Sequence, residues 1–152
     1  MAEELVFIPG RWDITYNYAA GKVSSKFFAE LRDNKRLMGI KCSRCGRVMM
    51  PPRGFCERCF APAGEWVEVG PEGTIQAFTI TVEKFEGNPD PPFAVAYVQL
   101  DGADTAMLNY VRGLDFSDLN RAAESLRVGT RVRVVYKEQR AGEVTDFEYE
   151  LV

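Results

Sequence analysis

The sequence predicts a mainly β chain in three parts: an N-terminal arm and short helix over 1–36, a four-cysteine ribbon over 37–64, and a five-stranded barrel with one helix over 65–152. Three observations carry that expectation. The four cysteines form two Cys-x-x-Cys pairs, Cys42/Cys45 and Cys56/Cys59, with ten residues between them. From Trp66 onward, runs dense in β-branched and aromatic residues alternate with Gly and Pro punctuation. One stretch with helical spacing, Leu114 to Leu126, interrupts those runs after the third.

Residues 1–23 carry Phe7, Pro9-Gly10, Trp12, Tyr16, Tyr18 and Gly21, with neither helical nor strand period over a useful length. A free arm is ordinarily polar, so this one is expected to lie on a surface, its own or a partner's. Ser24 and Ser25 offer N-caps for a helix from Lys26 to about Asp33, where Phe27, Phe28 and Leu31 form one apolar stripe. A helix that short needs its stripe docked. Leu37–Lys41 leads as a strand into the first cysteine pair, Arg47–Met50 supplies a hairpin limb, Pro51-Pro52 a turn and Phe60–Gly64 a connector.

Gly73–Val82 alternates, with Ile75, Ala77 and Val82 as its apolar members. Gly87–Pro92 is a long turn, and Asp101-Gly102 joins the strands Phe93–Leu100 and Thr105–Val111. Gly129 stops the helix, and Ala141-Gly142 joins Arg131–Lys137 to Val144–Leu151. Three strands, a helix and two strands fit a small Greek-key barrel of the OB type, with a flat sheet carrying one helix as the alternative.

The cysteines admit several chemistries. Disulfides need an oxidising compartment, whereas Met-Ala-Glu-Glu-Leu-Val lacks the basic n-region and long apolar core of a secretory signal. No run approaches the ~18 apolar residues of a membrane span, so a cytoplasmic protein is expected. Redox motifs come as one pair rather than two matched ones. Tetrahedral zinc wants four soft ligands, and two thiolates from each of two tight turns supply them. Iron uses the same ligand set, so zinc is the expectation and iron stays open. Gly46, after the first pair, suits a knuckle whose backbone N–H groups approach the thiolates. Such a site is closed and contributes to folding rather than to turnover.

The chain contains no histidine, and the cage would use every thiol. It therefore lacks the side chains most used as general base and nucleophile. The net charge of −3 hides an asymmetry. From Lys22 to Arg58 ten Lys or Arg stand against three acids, formally +7, whereas from Trp66 to the end eight stand against fifteen, formally −7. Zinc ribbons and OB barrels also serve nucleic acids, so a nucleic-acid-binding protein is the alternative function. An acidic barrel has the wrong sign for it, because phosphate contacts dominate such affinity.

Lys41-Cys-Ser-Arg-Cys-Gly-Arg-Val-Met-Met-Pro-Pro-Arg53, then Cys56-Glu-Arg-Cys59, Trp66-Val-Glu and Gly73-Thr-Ile, resembles the OB-fold acyl-CoA-associated family, whose barrel follows a rubredoxin-like zinc ribbon. Tyr18–Phe28 resembles the leading segment of members that accompany thiolases. The resemblance covers about residues 16–152. It implies a structural zinc on Cys42, Cys45, Cys56 and Cys59 and no catalytic residue on this chain. It further implies a partner: a thiolase-type catalytic subunit, or a related CoA-ester aldolase, hydratase or synthase, in a heterotetramer that shares acyl-CoA as ligand. Within that reading, Arg36, Lys41, Arg47 and Arg53 are the candidate contacts to CoA phosphates, each otherwise a solvated cation. Trp12, Tyr16, Phe27 and Phe28 are the candidate partner interface, each otherwise packed on the chain's own barrel.

Overall fold

Residues 6–152 are described by the structure, a computed structural model. The β-rich C-terminal half forms five strands: β4 (Glu72–Thr81), β5 (Phe93–Leu100), β6 (Ala106–Arg112), β7 (Arg131–Tyr136) and β8 (Phe147–Leu151). They close into a barrel in the order β4-β5-β6-β8-β7. All neighbours are antiparallel except β6 and β8, which run parallel through Val111↔Tyr149 and Arg112↔Glu150. Helix α2 (Leu119–Ser125) lies in the β6–β7 connection. This is the OB-type barrel expected from the element count, and not the flat sheet.

The barrel interior holds Ile75, Val98, Leu100, Val132, Phe147 and Tyr149, all fully buried. Its polar exceptions are satisfied, as burial demands. Tyr149 donates its hydroxyl to the Met107 carbonyl at 3.1 Å. The Asn109 amide donates to the carbonyls of Val144 and Phe147, each at 2.9 Å. The Asp146 carboxylate accepts from the backbone N–H groups of Ala141, Gly142 and Glu143 at 3.1, 2.6 and 2.9 Å.

Before the barrel, α1 (Gly21–Asn34) leads into a three-stranded sheet of order β2-β1-β3, made of β1 (Leu37–Cys42), β2 (Val48–Met49) and β3 (Ala63–Val69). Strand β3 crosses positions 64 and 65, and its last residue, Val69, is buried in the barrel's own core. The two sheets are also pinned by hydrogen bonds. The Val48 N–H donates to the Asp104 carboxylate at 2.8 Å, and Thr105 Oγ1 both accepts from Met50 N–H and donates to Met50 O, at 2.6 and 2.7 Å.

Four local expectations are corrected. Helix α1 begins at Gly21 rather than Lys26, with no side-chain cap bond, so Ser24 and Ser25 lie inside it. Phe27 and Leu31, four residues apart, are the pair that fills the core. On β4 the register shifts between Ile75 and Ala77. That bulge turns Ala77 outward and brings Phe78 and Ile80 to the core, while Val82 lies beyond the strand. Helix α2 starts only at Leu119, because Asp118 Oδ1 accepts from the N–H groups of Asn120 and Arg121 at 3.0 and 3.1 Å. Leu114 and Phe116 pack on the core from the preceding loop. Finally, 144–146 form a 3-10 turn, so β8 starts at Phe147.

Candidate metal centre and binding surfaces

Strand β1 delivers Cys42 at its end, and the two knuckles are built alike. In the first, the Gly46 N–H bonds the Cys42 carbonyl at 3.0 Å, with Gly46 at φ +74°. In the second, the Phe60 N–H bonds the Cys56 carbonyl at 2.9 Å, with Phe60 at φ +55°. The turn demands a left-handed residue after each pair. Glycine meets that demand without cost, and phenylalanine meets it with backbone strain. Phe60 stacks on Phe55, centroids 6.5 Å apart, with both rings more than half exposed.

The four Sγ atoms lie within 4.8 Å of one another. Cys42 and Cys59 are 3.4 Å apart and Cys45 and Cys56 3.7 Å apart. A tetrahedron with metal–sulfur bonds of about 2.3 Å has edges of about 3.8 Å, so the cage has the dimensions of a four-thiolate zinc site. Its electrostatics agree. The N–H groups of Cys45 and Arg44 point at the Cys42 sulfur, at 3.5 and 3.4 Å, and pull its thiol down to about 6. For Cys59 the Ala61 N–H acts in the same sense, but the crowding Cys42 sulfur and burial prevail and push it up to about 11. Crowding and burial oppose ionisation of Cys59, and a divalent cation at the centre of the four sulfurs offsets both.

The structure divides the candidate cations. Lys41 and Arg47 line one hollow of about 470 Å³ with Arg58, Cys45, Gly46 and Asp104. Arg53 stands beside it, joined to Arg47 through Glu57, which lies 3.4 Å from Arg53 and 3.5 Å from Arg47. Arg36 lies apart, bound to Glu30 at 2.6 Å across the end of α1. The hydrogen bonds from Arg36 and Asn34 hold the Glu30 carboxyl below its ordinary range. Arg58 was not among the expected cations, although its place between Glu57 and Cys59 puts it on the knuckle.

The zinc-ribbon domain described as "ChsH2, rubredoxin-like zinc ribbon domain" matches residues 29–63. The one described as "ChsH2, C-terminal OB-fold domain" matches residues 66–137. The chain carries a ChsH2-type zinc ribbon followed by a ChsH2-type OB-fold domain, and the four cysteines are positioned for the structural metal. Two solved structures share the fold. A crystal structure of a protein of unknown function from the DUF35 family, from Sulfolobus solfataricus, superposes with a TM-score of 0.63 at 25% identity, covering 87% of each chain. A structure titled Ltp2-ChsH2(DUF35) aldolase superposes with a TM-score of 0.65 at 19% identity, covering 88% of this chain and 98% of that one. Comparison with curated proteins gave no match.

The aromatic candidates separate as sharply as the cations. In this ChsH2-type chain Trp12 and Tyr16 stand free, 88% and 73% exposed. Phe27 does not: it is 3% exposed and belongs to the barrel core, so it is withdrawn as an interface residue. Phe28 is half-buried against the same cluster, its ring 5.2 Å from that of Phe27. Among the described residues no helix is long and apolar enough to cross a membrane.

Proposed function

We propose that this chain is the non-catalytic, zinc-binding subunit of an acyl-CoA-processing complex. Its catalytic partner is a thiolase-type subunit, the assembly is a heterotetramer, and acyl-CoA is the shared ligand. One observation carries the reading: the chain has no histidine, and its four cysteines are gathered in a single cage. The side chains that acyl transfer most needs must then come from elsewhere. The name of the structural neighbour, an aldolase with a ChsH2 component, supports a two-component arrangement. The resemblance of Tyr18–Phe28 to thiolase-accompanying members supports the finer choice, a small subunit of the kind found in benzoylsuccinyl-CoA thiolase.

In this reading the three parts have separate tasks. The arm and helix (1–36) meet the catalytic subunit through Trp12, Tyr16 and the outer face of Phe28. The ribbon (37–64) offers Lys41, Arg47 and Arg53 to CoA phosphates, with Arg36 a more distant member. The barrel (65–152) shields the acyl site, since water exclusion suits thioester chemistry, where hydrolysis is the side reaction.

The test is isolation of the tagged chain with its native partner, followed by an acyl-CoA thiolysis assay on each component and on the complex. Activity should need the partner and be lost on its removal. Turnover of an acyl-CoA by this chain alone would place the chemistry here and end the proposal. In the same complex, charge reversal at Arg47 and Arg53 together should weaken CoA-ester binding about tenfold at low salt and less at high salt.

A further inference from the structure

The arm has a pattern that its overall composition conceals. Across residues 1–23 no period is evident, yet Trp12, Ile14, Tyr16 and Tyr18 recur at every second position, separated by Asp13, Thr15 and Asn17. That is the alternation of a strand with one apolar face. The residue types agree, being aromatic and β-branched. In the structure residues 6–20 form no regular element, and the rings of Tyr16 and Tyr18 stand 6.2 Å apart, close to the roughly 6.8 Å that separates same-side neighbours on an extended chain. All four side chains are 61–88% exposed, and among the described residues no backbone hydrogen bond outside the helices and strands involves residues 6–19.

Geometry and composition point to what covers this row. Three aromatic rings bury about 150–250 Å² each. With Ile14 the row would bury about 600 Å², most of the roughly 800 Å² that one partner contributes to a specific interface. Charge is sparse, as at interface centres: residues 6–20 contain only Arg11 and Asp13, paired with each other at 3.4 Å. A second copy of this chain offers such a strand a poor seat. The barrel is closed, and β2 is two residues long with its flank occupied by Asp104 and Thr105. The remaining edge, β3, carries the exposed acids Glu65 and Glu68, a device that blocks edge pairing.

The geometry points to residues 11–18 binding as a β-strand along a sheet edge of the catalytic subunit, with Trp12, Ile14, Tyr16 and Tyr18 pressed into apolar pockets of that subunit. Main-chain bonds would supply affinity and the alternate side chains specificity. This rests on the accessory-subunit reading above and adds to it the mode of attachment.

The experiment is a parity scan on the complex of this chain with its co-purifying catalytic subunit. Single aspartates are placed in the row (W12D, I14D, Y16D, Y18D) and out of it (T15D, N17D), and the dissociation constant is measured by titration. In-row changes should weaken the complex about thirtyfold or more, as for interface hot spots, and out-of-row changes less than about threefold. Zinc content should stay constant throughout, since the arm touches neither ribbon nor core. Equal losses at both parities, or no loss at either, would overturn the strand geometry while leaving the accessory reading intact. Absence of any acyl-CoA-processing subunit bound to the unsubstituted chain would sink both.

Discussion

The ribbon and the barrel are held together by different physics. The barrel cluster gathers eighteen buried residues from every one of its strands and from α1 and β1, enough apolar surface to fold by packing. The ribbon's own cluster is Ile40, Cys42, Met49, Cys56 and Ala61, two of which are metal ligands. So small a core cannot offset the ordering of two knuckles and three strands, and zinc is what closes the difference. The charges divide along the same line, basic in the ribbon and acidic in the barrel. One half is organised around a cation, the other around hydrocarbon.

The sharpest way to break this comparison is Cys42→Ser. Three thiolates do not make the closed tetrahedral site, so zinc should fall to a small fraction of one per chain. The ribbon should lose binding energy on the order of 10 kcal/mol. Elemental analysis with amide exchange would show 37–69 unprotected and the barrel strands still protected. Retained zinc and an unchanged melting point would mean the cage is not the ribbon's source of stability.

A smaller effect comes from the other side. Phe147→Ala removes a fully buried ring from the barrel and should cost about 3–5 kcal/mol in urea unfolding. Zinc stoichiometry should stay at one below the transition. Loss of metal in step with the barrel would show that Val69 and Met50, which connect the two, make a single cooperative unit.

The smallest effect sharpens the barrel's polar side. Burial alone would raise the Asp146 carboxyl, but the N–H groups of Glu143, Ala141 and Gly142 outweigh it and hold the carboxyl below its ordinary range. Its folded pKa is thus below the unfolded value of about 3.9. The stability it adds is present in full above that value and is lost as pH falls toward the folded pKa. Asp146→Asn should cost about 1–3 kcal/mol at neutral pH and flatten the acid limb of the stability curve. Parallel curves for the two proteins below pH 4 would refute the assignment.

Much of this was legible in the residue order. The spacing of Cys42, Cys45, Cys56 and Cys59 announces the cage, because the ligands of a knuckle are sequence neighbours. The order of three strands, a helix and two strands announces the barrel. Mislocated boundaries had local causes of kinds that spacing does not display. One residue inserted near Gln76 reverses which side chains face inward, and an Asp118 cap outweighs the helical spacing of Leu114 and Phe116.

Sequence by itself determined the chemistry available: which atoms can hold a metal, that no imidazole is present, and that no thiol lies outside the two Cys-x-x-Cys pairs. Only the tertiary structure decided which groups meet. It sent Phe27 inward while leaving Trp12 outside, and it put Arg58 with Lys41 and Arg47 while tying Arg36 to Glu30. The reason is range: ligand spacing and strand period are properties of neighbours along the chain, whereas burial depends on strands far apart in sequence that close the barrel, and the grouping of the cations on how the end of α1 and the two knuckles fold back on themselves.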